Sequence, residues 1–257
     1  MEAQAAKSAE AAPLAGRAAS GVNAVVRRRG PRRRVLVLAA GLTVAWVGLA
    51  AWVRWRAPGV PQVDETVHAW ALAHRTPATE ALARGVSWFG QTDVALPLVV
   101  LAGLASAGST RRLGRVRAAV LLLALGGLGV VVGLELNQIV GRARPLPADW
   151  AGAAGGFSFP SGHTTAATLA AGLAAWALSR HLDSQRLRVA VWLVAAVWAL
   201  SVGWSRVWLG VHWPTDVLCA WLFAGSFLVA ARAVQLTWWP GDAPPEPVLD
   251  AAPVPTS

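Results

Sequence analysis

Six long apolar stretches constrain the fold of this chain more than any other feature. They lie at about 35–53, 94–108, 118–140, 164–179, 187–204 and 214–236. The first, VLVLAAGLTVAWVGLAAWV, lacks the polar stripe that a helix on a soluble protein presents at every turn. A helix needs roughly 20 apolar residues to cross the hydrocarbon core of a membrane. Each stretch reaches this length alone or with its flanks, so the sequence predicts an all-α bundle of six membrane-spanning helices.

Composition agrees with a membrane protein. The 257 residues are 55% hydrophobic and only 14% charged, whereas roughly 25% of an ordinary soluble domain is charged. The formal net charge of +10 comes almost entirely from arginines in short clusters between apolar stretches. Such clusters indicate membrane topology, so we expect membrane lipids as partners and no nucleic acid. Because Cys219 is the only cysteine, the chain has neither an intramolecular disulfide nor a cysteine-based metal cage.

Two polar tails flank the apolar region. Residues 1–34 are rich in alanine and end in RRRGPRRR, which predicts a disordered, basic cytoplasmic tail. Residues 237–257 are rich in proline and acidic, which predicts a second disordered tail. The six-span domain is therefore expected at 35–236.

The arginine clusters also predict an orientation. They lie at 27–34, 111–117 and 180–188, which fall on one side of the membrane if the chain crosses it six times. Loops rich in arginine remain in the cytoplasm. Both termini are therefore expected in the cytoplasm, and the segments 54–93, 141–163 and 205–213 on the opposite side.

The segment between the first two spans has helical periodicity. In VDETVHAWALAHRTPATEALARGVSWFG, at 63–90, an apolar face is predicted to hold the side chains of Val63, Val67, Trp70 and Ala71. We expect an amphipathic helical segment at the membrane interface. His68 and His74 belong to it and are expected to be surface histidines.

A polar stretch, FSFPSGHTT at 157–165, precedes the fourth span on the extracytoplasmic side. Pro160 interrupts the preceding structure, and Ser161 is a suitable N-cap for the helix that follows. Gly162 permits a close backbone approach. The first N–H groups of a helix bind anions, so His163 is predicted beside an anion site.

Two further polar segments lie on the same predicted side. NQIVGRARP, at 137–145, contains Arg142 and Arg144, and SRVWLGVHWPTD, at 205–216, contains Arg206. His212 and Asp216 in the latter are four residues apart, so one helical turn brings the carboxylate to the imidazole. A carboxylate on one ring nitrogen raises the basicity of the other, which favours His212 as a nucleophile.

These residue types suit phosphoryl transfer. Arginine forks bind phosphate oxygens, and the reaction needs charge neutralisation, an in-line nucleophile and an acid for the leaving group. The sequence has no carboxylate cluster typical of Mg²⁺ sites and no H-E-x-x-H motif typical of Zn²⁺ sites. We therefore expect no metal and no cofactor.

Together the three segments resemble the type 2 phosphatidic acid phosphatase superfamily, which also includes vanadium haloperoxidases. The family pattern is K-x6-R-P, then P-S-G-H, then S-R-x5-H-x3-D, and the last two parts match in full. The resemblance spans about 137–216, and the D-x3-H…R-T-P segment before the second span is also similar to bacterial membrane members. It implies an α-helical bundle in which His212 attacks phosphorus to form a phosphohistidine. Asp216 would orient His212, and His163 would protonate the leaving oxygen. The implied phosphate ligands are Arg144, Arg206, Ser161 and the backbone of Gly162.

Asn137 departs from the family pattern, because it occupies the position of the family lysine. Its amide can donate a hydrogen bond to phosphate but supplies no charge. A lost charge-assisted hydrogen bond is worth roughly 1.5–3 kcal/mol, so we expect weakened phosphate binding. Arg142 offers a partial substitute for the missing charge.

The resulting hypothesis is a metal-independent membrane phosphatase that acts on a lipid phosphate at the extracytoplasmic face. By resemblance, candidate substrates are undecaprenyl diphosphate, phosphatidic acid and phosphatidylglycerophosphate. One alternative is a phosphotransferase that passes the phosphoryl group from His212 to a sugar or lipid hydroxyl. Another is a catalytically weakened phospholipid-binding or transport protein. Asn137 supports this alternative, whereas the paired His212 and Asp216 argue against it.

Overall fold

The computed structural model describes residues 32–105 and 112–238, apart from the side chains of 112–113 and 237–238, and is all-helical over them. Helices α1 to α8 comprise Arg32–Arg56, Gln62–His74, Pro77–Trp88, Thr92–Ala105, Arg112–Val140, Gly162–Ser179, Gln185–Trp208 and Pro214–Trp238. A 3-10 turn covers Pro147–Asp149. The predicted all-α class is therefore confirmed.

The chain forms two units. Leu38–Val229 contains the core and the polar residues singled out above. The other unit comprises Met1–Val37 and Ala230–Ser257, of which the structure describes the terminal turns of α1 and α8. In the latter, Arg232 donates to the side chain of Gln235 three residues later.

The two terminal helices extend into both predicted tails. Residues 32–34 of the predicted N-terminal tail are helical, as are residues 237–238 of the C-terminal tail. The three N-terminal arginines are exposed, and arginine is a good helix former that needs no burial. Residues 1–31 and 239–257 of the predicted tails lie outside the described residues.

Several helices are long and apolar enough to cross a membrane. Among the described residues, α1, α5, α7 and α8 meet this criterion individually. Helices α3 and α4, bent by 52° at a short break, meet it as a pair. The structure thus supports four spans, or up to five if the bent pair is one span, and the count of six stays a prediction.

Helix α6 packs against α4, α5 and α7 and is the most extensively buried helix. Its alanines and leucines are good helix formers, and small side chains allow neighbouring helices to approach closely. Its core residues pack with side chains of α4 and α5, in a cluster of Ala95, Val99, Leu122, Ala166, Ala170, Leu173 and Ala177. Thr165 and Thr168 donate their hydroxyls to carbonyls one turn earlier. These two hydroxyls are thereby satisfied inside the bundle.

The segment between the first two spans forms helices α2 and α3. The buried face of α2 carries Asp64, His68 and Ala71, whereas Val63 and Trp70 are about half exposed. The predicted apolar face is therefore divided, because Ala71 is buried whereas Val63 and Trp70 are not. The prediction of a surface His68 is also wrong, because its ring is buried and pairs with Asp149. His74 is exposed, as predicted.

Candidate active site

The polar segments meet at one end of the bundle, where α5 and α7 end and α6 and α8 begin. Backbone hydrogen bonds join the connecting loops, from Ser161 N–H to the Asp216 carbonyl at 3.2 Å and from Ala151 N–H to the Leu209 carbonyl at 2.9 Å. Gly210 turns the chain between α7 and α8 with a φ of +71°. A Cβ there would lie in strained backbone and against the carbonyl of Asp149. The loops are therefore held to each other by the backbone itself.

His212 and Asp216 form the pair predicted from their spacing. The Nδ1 atom of His212 lies 3.3 Å from Oδ2 of Asp216, and that oxygen also accepts the N–H of Trp213 at 2.8 Å. Both side chains are almost fully buried. Burial lowers the pKa of His212 to about 4, although the hydrogen bond and charge of Asp216 raise it. With the Nδ1 proton donated to Asp216, Nε2 of the neutral ring carries the lone pair and acts as an acceptor.

Arg144 lies directly against this ring. Its Nη1 is 2.8 Å from Nε2 of His212 and also donates to the Val211 carbonyl at 2.8 Å. Nη2 donates to the carbonyls of Gly155 and Phe157, each at 2.8 Å, and Nε to that of Gly156 at 3.1 Å. The guanidinium therefore joins the loop before α6 to the loop that carries His212.

Arg206 approaches from α7 and is 3% exposed. Its Nη1 donates to the hydroxyl of Ser87 on α3 at 2.6 Å, and Nη2 makes a longer contact of 3.4 Å with the Ala153 carbonyl. Its Nε is buried and has no hydrogen-bond partner within the described part of the chain. A buried guanidinium with an unpaired donor is costly unless a ligand satisfies it.

Ser161 is the N-cap of α6, as predicted, but its side chain makes no capping hydrogen bond. Its hydroxyl accepts the proton of the Thr164 hydroxyl at 2.9 Å and is fully buried. Gly162 follows as the first helical residue, and nothing lies within 4 Å of where its Cβ would be. The start of the helix is therefore open at Gly162.

His163 lies in the first turn of α6, just ahead of the predicted fourth span. Burial lowers its pKa to about 3, and the positive charge of Arg206 is the next largest cause. The break between α3 and α4 touches it, because a Cβ on Gly90 would lie 3.0 Å from the His163 carbonyl oxygen and 3.2 Å from its Cβ. The site thus contains two histidines and two arginines, with His163 on α6, Arg206 on α7, Arg144 in the loop before α6 and His212 in the loop before α8.

Arg142 lies behind this group. Its Nη1 donates to Oδ1 of Asp216 at 2.6 Å and to the Thr215 hydroxyl at 2.7 Å, and its Nη2 donates to Asp64 at 2.6 Å. The guanidinium also covers the ring of Trp213, 5.6 Å from its centroid. Since both terminal nitrogens bind protein groups, these contacts do not support Arg142 as a substitute for the missing lysine.

Asn137 reaches the loop that precedes α6. Its Nδ2 donates to the carbonyls of Phe157 and Pro160, at 3.1 and 3.3 Å. Both amide protons are therefore used on the backbone, which ties the end of α5 to the PSGH segment. Phosphate binding by Asn137 stays a prediction, and loop support is a second role that the sequence did not suggest.

From the sequence, no role in the site was assigned to four polar residues that lie around it: Asp64, His68, Ser87 and Thr215. The spacing of Asp64, His68 and Ala71 places them on one helical face, which was the available signal for the first two. Ser87 and Thr215 gave no such signal, because single hydroxyl residues on apolar helices are common. No group of three or more His, Cys, Asp or Glu residues suited to a metal ion occurs within the described ranges.

Comparison with known proteins identifies the family. The model of the PAP2 superfamily matches residues 116–240. Phosphatidylglycerophosphatase B of Bacillus subtilis is 32% identical over 162 residues, which are 62% of this chain and 76% of that protein. The chain belongs to the PAP2 superfamily. An undecaprenyl-diphosphatase of Sulfolobus acidocaldarius is 29% identical over 155 residues, which are 56% of this chain and 64% of that protein.

A solved PAP2 structure has the same fold. The crystal structure of a transmembrane PAP2-type phosphatidylglycerolphosphate phosphatase from Bacillus subtilis superposes with a TM-score of 0.67. It is 27% identical in sequence, and the match covers 77% of this chain and 95% of that one. The chain is therefore an enzyme of the PAP2 lipid-phosphatase family and a multi-pass membrane protein. The resemblance drawn from the three sequence segments is confirmed.

Proposed function

We propose that this PAP2 enzyme hydrolyses a lipid phosphate through a phosphohistidine formed on His212, without a metal ion. The observation that carries the proposal is the pairing of His212 Nδ1 with the buried carboxylate of Asp216 at 3.3 Å. It leaves Nε2 as the basic atom on a ring whose lowered pKa keeps it neutral at pH 7. A neutral imidazole oriented by a carboxylate is an activated nucleophile.

In the first step, Nε2 of His212 attacks phosphorus, and the bond from phosphorus to the lipid oxygen breaks. His163 donates a proton to that leaving oxygen. In the second step, water attacks the phosphohistidine, the phosphorus–nitrogen bond breaks, and His163 accepts a proton from the water. Inorganic phosphate and the dephosphorylated lipid are the products.

The phosphate is held by Arg144, Arg206, Ser161 and the backbone at Gly162. The unpaired Nε of Arg206 supports its part, since a phosphate oxygen would satisfy it. A phosphate between the two arginines also offsets the charges that lower the pKa of His163. Substrate binding would thus raise that pKa and make the protonated acid available when it is needed. We assign Asn137 to holding the loop before α6.

The substrate is a phosphomonoester or diphosphate lipid of the phosphatidylglycerophosphate, phosphatidic acid or undecaprenyl diphosphate type. The names of the Bacillus and Sulfolobus relatives support the first and last of these. The lipid chains lie in the bilayer, and the headgroup reaches the site among α5, α6 and α8. The apolar lipid chains are then not exposed to water while the charged headgroup binds the arginines.

We further propose six spans, with α6 and the α3–α4 pair among them, both termini in the cytoplasm and the site on the opposite side. The arginines at the start of α5, the end of α6 and the start of α7 support this orientation, because they lie at the end of the bundle away from the site. Of the segment between the first two spans, α2 is then the helix at the membrane interface, and its half-exposed Val63 and Trp70 support this role.

The test is phosphate release by the full-length protein purified in detergent. A panel of the three lipid types is assayed with EDTA, beside His212→Ala and a matched control, His74→Ala. Release that persists in EDTA and in the control but disappears in His212→Ala is expected. Radiolabelled substrate should also leave a label on the protein that is stable in alkali and lost in acid, as a phosphohistidine is.

Full activity of His212→Ala would overturn the assignment of the nucleophile. A requirement for an added divalent ion would overturn the metal-independent mechanism. Adding glycerol or a sugar as acceptor separates the two reactions of the family, because a phosphotransferase would then yield a phosphorylated acceptor in place of inorganic phosphate.

A further inference from the structure

We propose that Asp64 of α2 is a positioning residue for the nucleophile, acting through Arg142 and Thr215 to keep the carboxylate of Asp216 both oriented and negatively charged toward His212. This inference rests on the proposed function and deepens it. Asp64 begins the D-x3-H segment before the second span, to which the resemblance gave no role in the site, and it enters the site from α2 rather than from the three motif segments.

Both carboxylate oxygens of Asp64 accept hydrogen bonds inside the protein. Its side chain is fully buried. Oδ1 accepts the backbone N–H of Thr215 at 2.9 Å, and Oδ2 accepts the Thr215 hydroxyl at 2.7 Å and Nη2 of Arg142 at 2.6 Å. A buried carboxylate is tolerated only where hydrogen bonds and a countercharge compensate it, and Asp64 has both.

One of these contacts fixes the start of α8. Thr215 is the second residue of α8, so its N–H is among those with no acceptor inside the helix. The carboxylate of Asp64 satisfies this N–H, and a negative charge at a helix N-terminus is favourable. Asp216 is the next residue in that turn. Asp64 therefore anchors the backbone that carries the carboxylate of the catalytic pair.

The contact between Asp64 and Arg142 affects the electrostatic charge beside His212. Arg142 donates to Oδ1 of Asp216 at 2.6 Å, whereas Oδ2 of Asp216 faces His212 and the N–H of Trp213. An arginine bonded only to Asp216 would neutralise the charge that His212 experiences. Because Asp64 shares the same guanidinium at 2.6 Å, the two carboxylates and one guanidinium keep a net formal charge of −1 behind His212.

Other charged groups near His212 do not replace this charge. Arg144 from the loop before α6 and Arg206 from α7 both lower the pKa of His212, and His163 from α6 is held neutral. The negative charge at the site comes from the Asp64–Arg142–Asp216 cluster alone among the described residues that face the ring. A stronger carboxylate–imidazole bond increases the basicity of Nε2.

The experiment uses four full-length variants in detergent: Asp64→Asn, Arg142→Gln, the double variant of both, and Glu80→Gln as a matched acid-to-amide control. Glu80 pairs with arginines at a more exposed position of α3, 3.5 Å from Arg84. The formal charge of the cluster is zero in Asp64→Asn and returns to −1 in the double variant. Circular dichroism and thermal unfolding establish that each variant is folded.

Three quantities are measured for each variant: kcat and KM on a lipid phosphate, and the proton resonance of His212 Nδ1–H, which is assigned with His212→Ala. A proton in a strong bond to a carboxylate resonates far downfield. For Asp64→Asn we expect kcat to fall by about tenfold with little change in KM, and the resonance to move upfield. In the double variant both should return toward the values of the native protein, and the control should match it.

A purely structural role would instead make kcat follow thermal stability across the variants and leave the Nδ1–H resonance of the folded protein unchanged. A double variant no better than Asp64→Asn in kcat and resonance would overturn the proposal, as would an Asp64→Asn variant with native kcat and resonance. Failure of the proposed function is distinguishable, since it would appear as activity that survives His212→Ala. The resonance reports on Asp64 even in that event.

Discussion

The guanidinium of Arg144 donates a hydrogen bond of 2.8 Å to Nε2 of His212. The arginine that is expected to bind phosphate therefore contacts the nitrogen that is expected to attack phosphorus. Its remaining donors hold carbonyls of the loop 155–157 and of Val211. A phosphate in the site would lie between the guanidinium of Arg144 and the ring of His212. The guanidinium would then exchange its hydrogen bond to Nε2 for hydrogen bonds to phosphate oxygens. Arg144 thus couples the loop before α6 to the reacting atom.

We expect Arg144→Lys to reduce kcat/KM by about 10²-fold, the usual loss when one preorganised donor to a reacting oxyanion is removed. Lysine keeps the charge but cannot reproduce the planar fork that binds four carbonyls. Hydrogen exchange of the peptide containing 153–158 should also become faster. Arg84→Lys, at a half-exposed arginine that donates to the Ala151 carbonyl, is the control. An active Arg144→Lys with unchanged exchange would contradict both roles.

The pH dependence should report the lowered pKa of His212. Its ordinary value of 6.5 falls to about 4 in the folded protein, mainly through burial. The ring therefore stays neutral as the pH decreases through 6.5, and protonation removes the nucleophile only near pH 4. Because kcat/KM reports ionisations of the free enzyme, its acid limb should lie well below 6.5 once the ionisation of the substrate is subtracted. A limb near 6.5 that disappears in a His212 variant would contradict this expectation.

Gly90→Ala should impair catalysis through His163. The new methyl group would lie 2.5 Å from Cγ1 of Val202 on α7 and 3.0 Å from the backbone oxygen of His163, so the contacts among α7, α6 and the α3–α4 break must change. A displacement of about 1 Å in a reacting group can cost about 10²-fold in rate, and we expect the loss mainly in kcat. Gly85→Ala is a matched control, because nothing lies within 4 Å of the position of its Cβ. Equal activity of the two variants would show that this contact does not position His163.

Asn137 permits a test of its two possible roles. Asn137→Leu removes both hydrogen bonds to the loop, each worth about 0.5–1.5 kcal/mol, and should lower kcat/KM by about tenfold. Asn137→Lys can donate to the same carbonyls and adds the charge of the family pattern, so activity should be unchanged or higher. A large loss in Asn137→Lys would indicate a site rebuilt around asparagine. The comparison requires both variants to have native thermal unfolding.

The sequence predicted the helices well because its signals are local. Apolar length and composition define α1, α5, α7 and α8 as spans, and the proline and small residues before α6 mark its start at Ser161 and Gly162. The spacing of His212 and Asp216 predicted their contact, since residues four apart share one helical face. Each of these conclusions depends only on neighbouring residues in the chain.

The sequence by itself therefore determined an all-helical membrane enzyme, the family and a short set of candidate site residues. Only the tertiary structure decided that Arg142 binds Asp64 and Asp216 rather than substituting for the missing lysine, that Asn137 supports a loop, and that His68 is buried. Periodicity does not report which face of a helix meets which loop. A buried charge needs a partner that is close in three dimensions, and for Arg142 the partners are carboxylates 78 and 74 residues away in the chain.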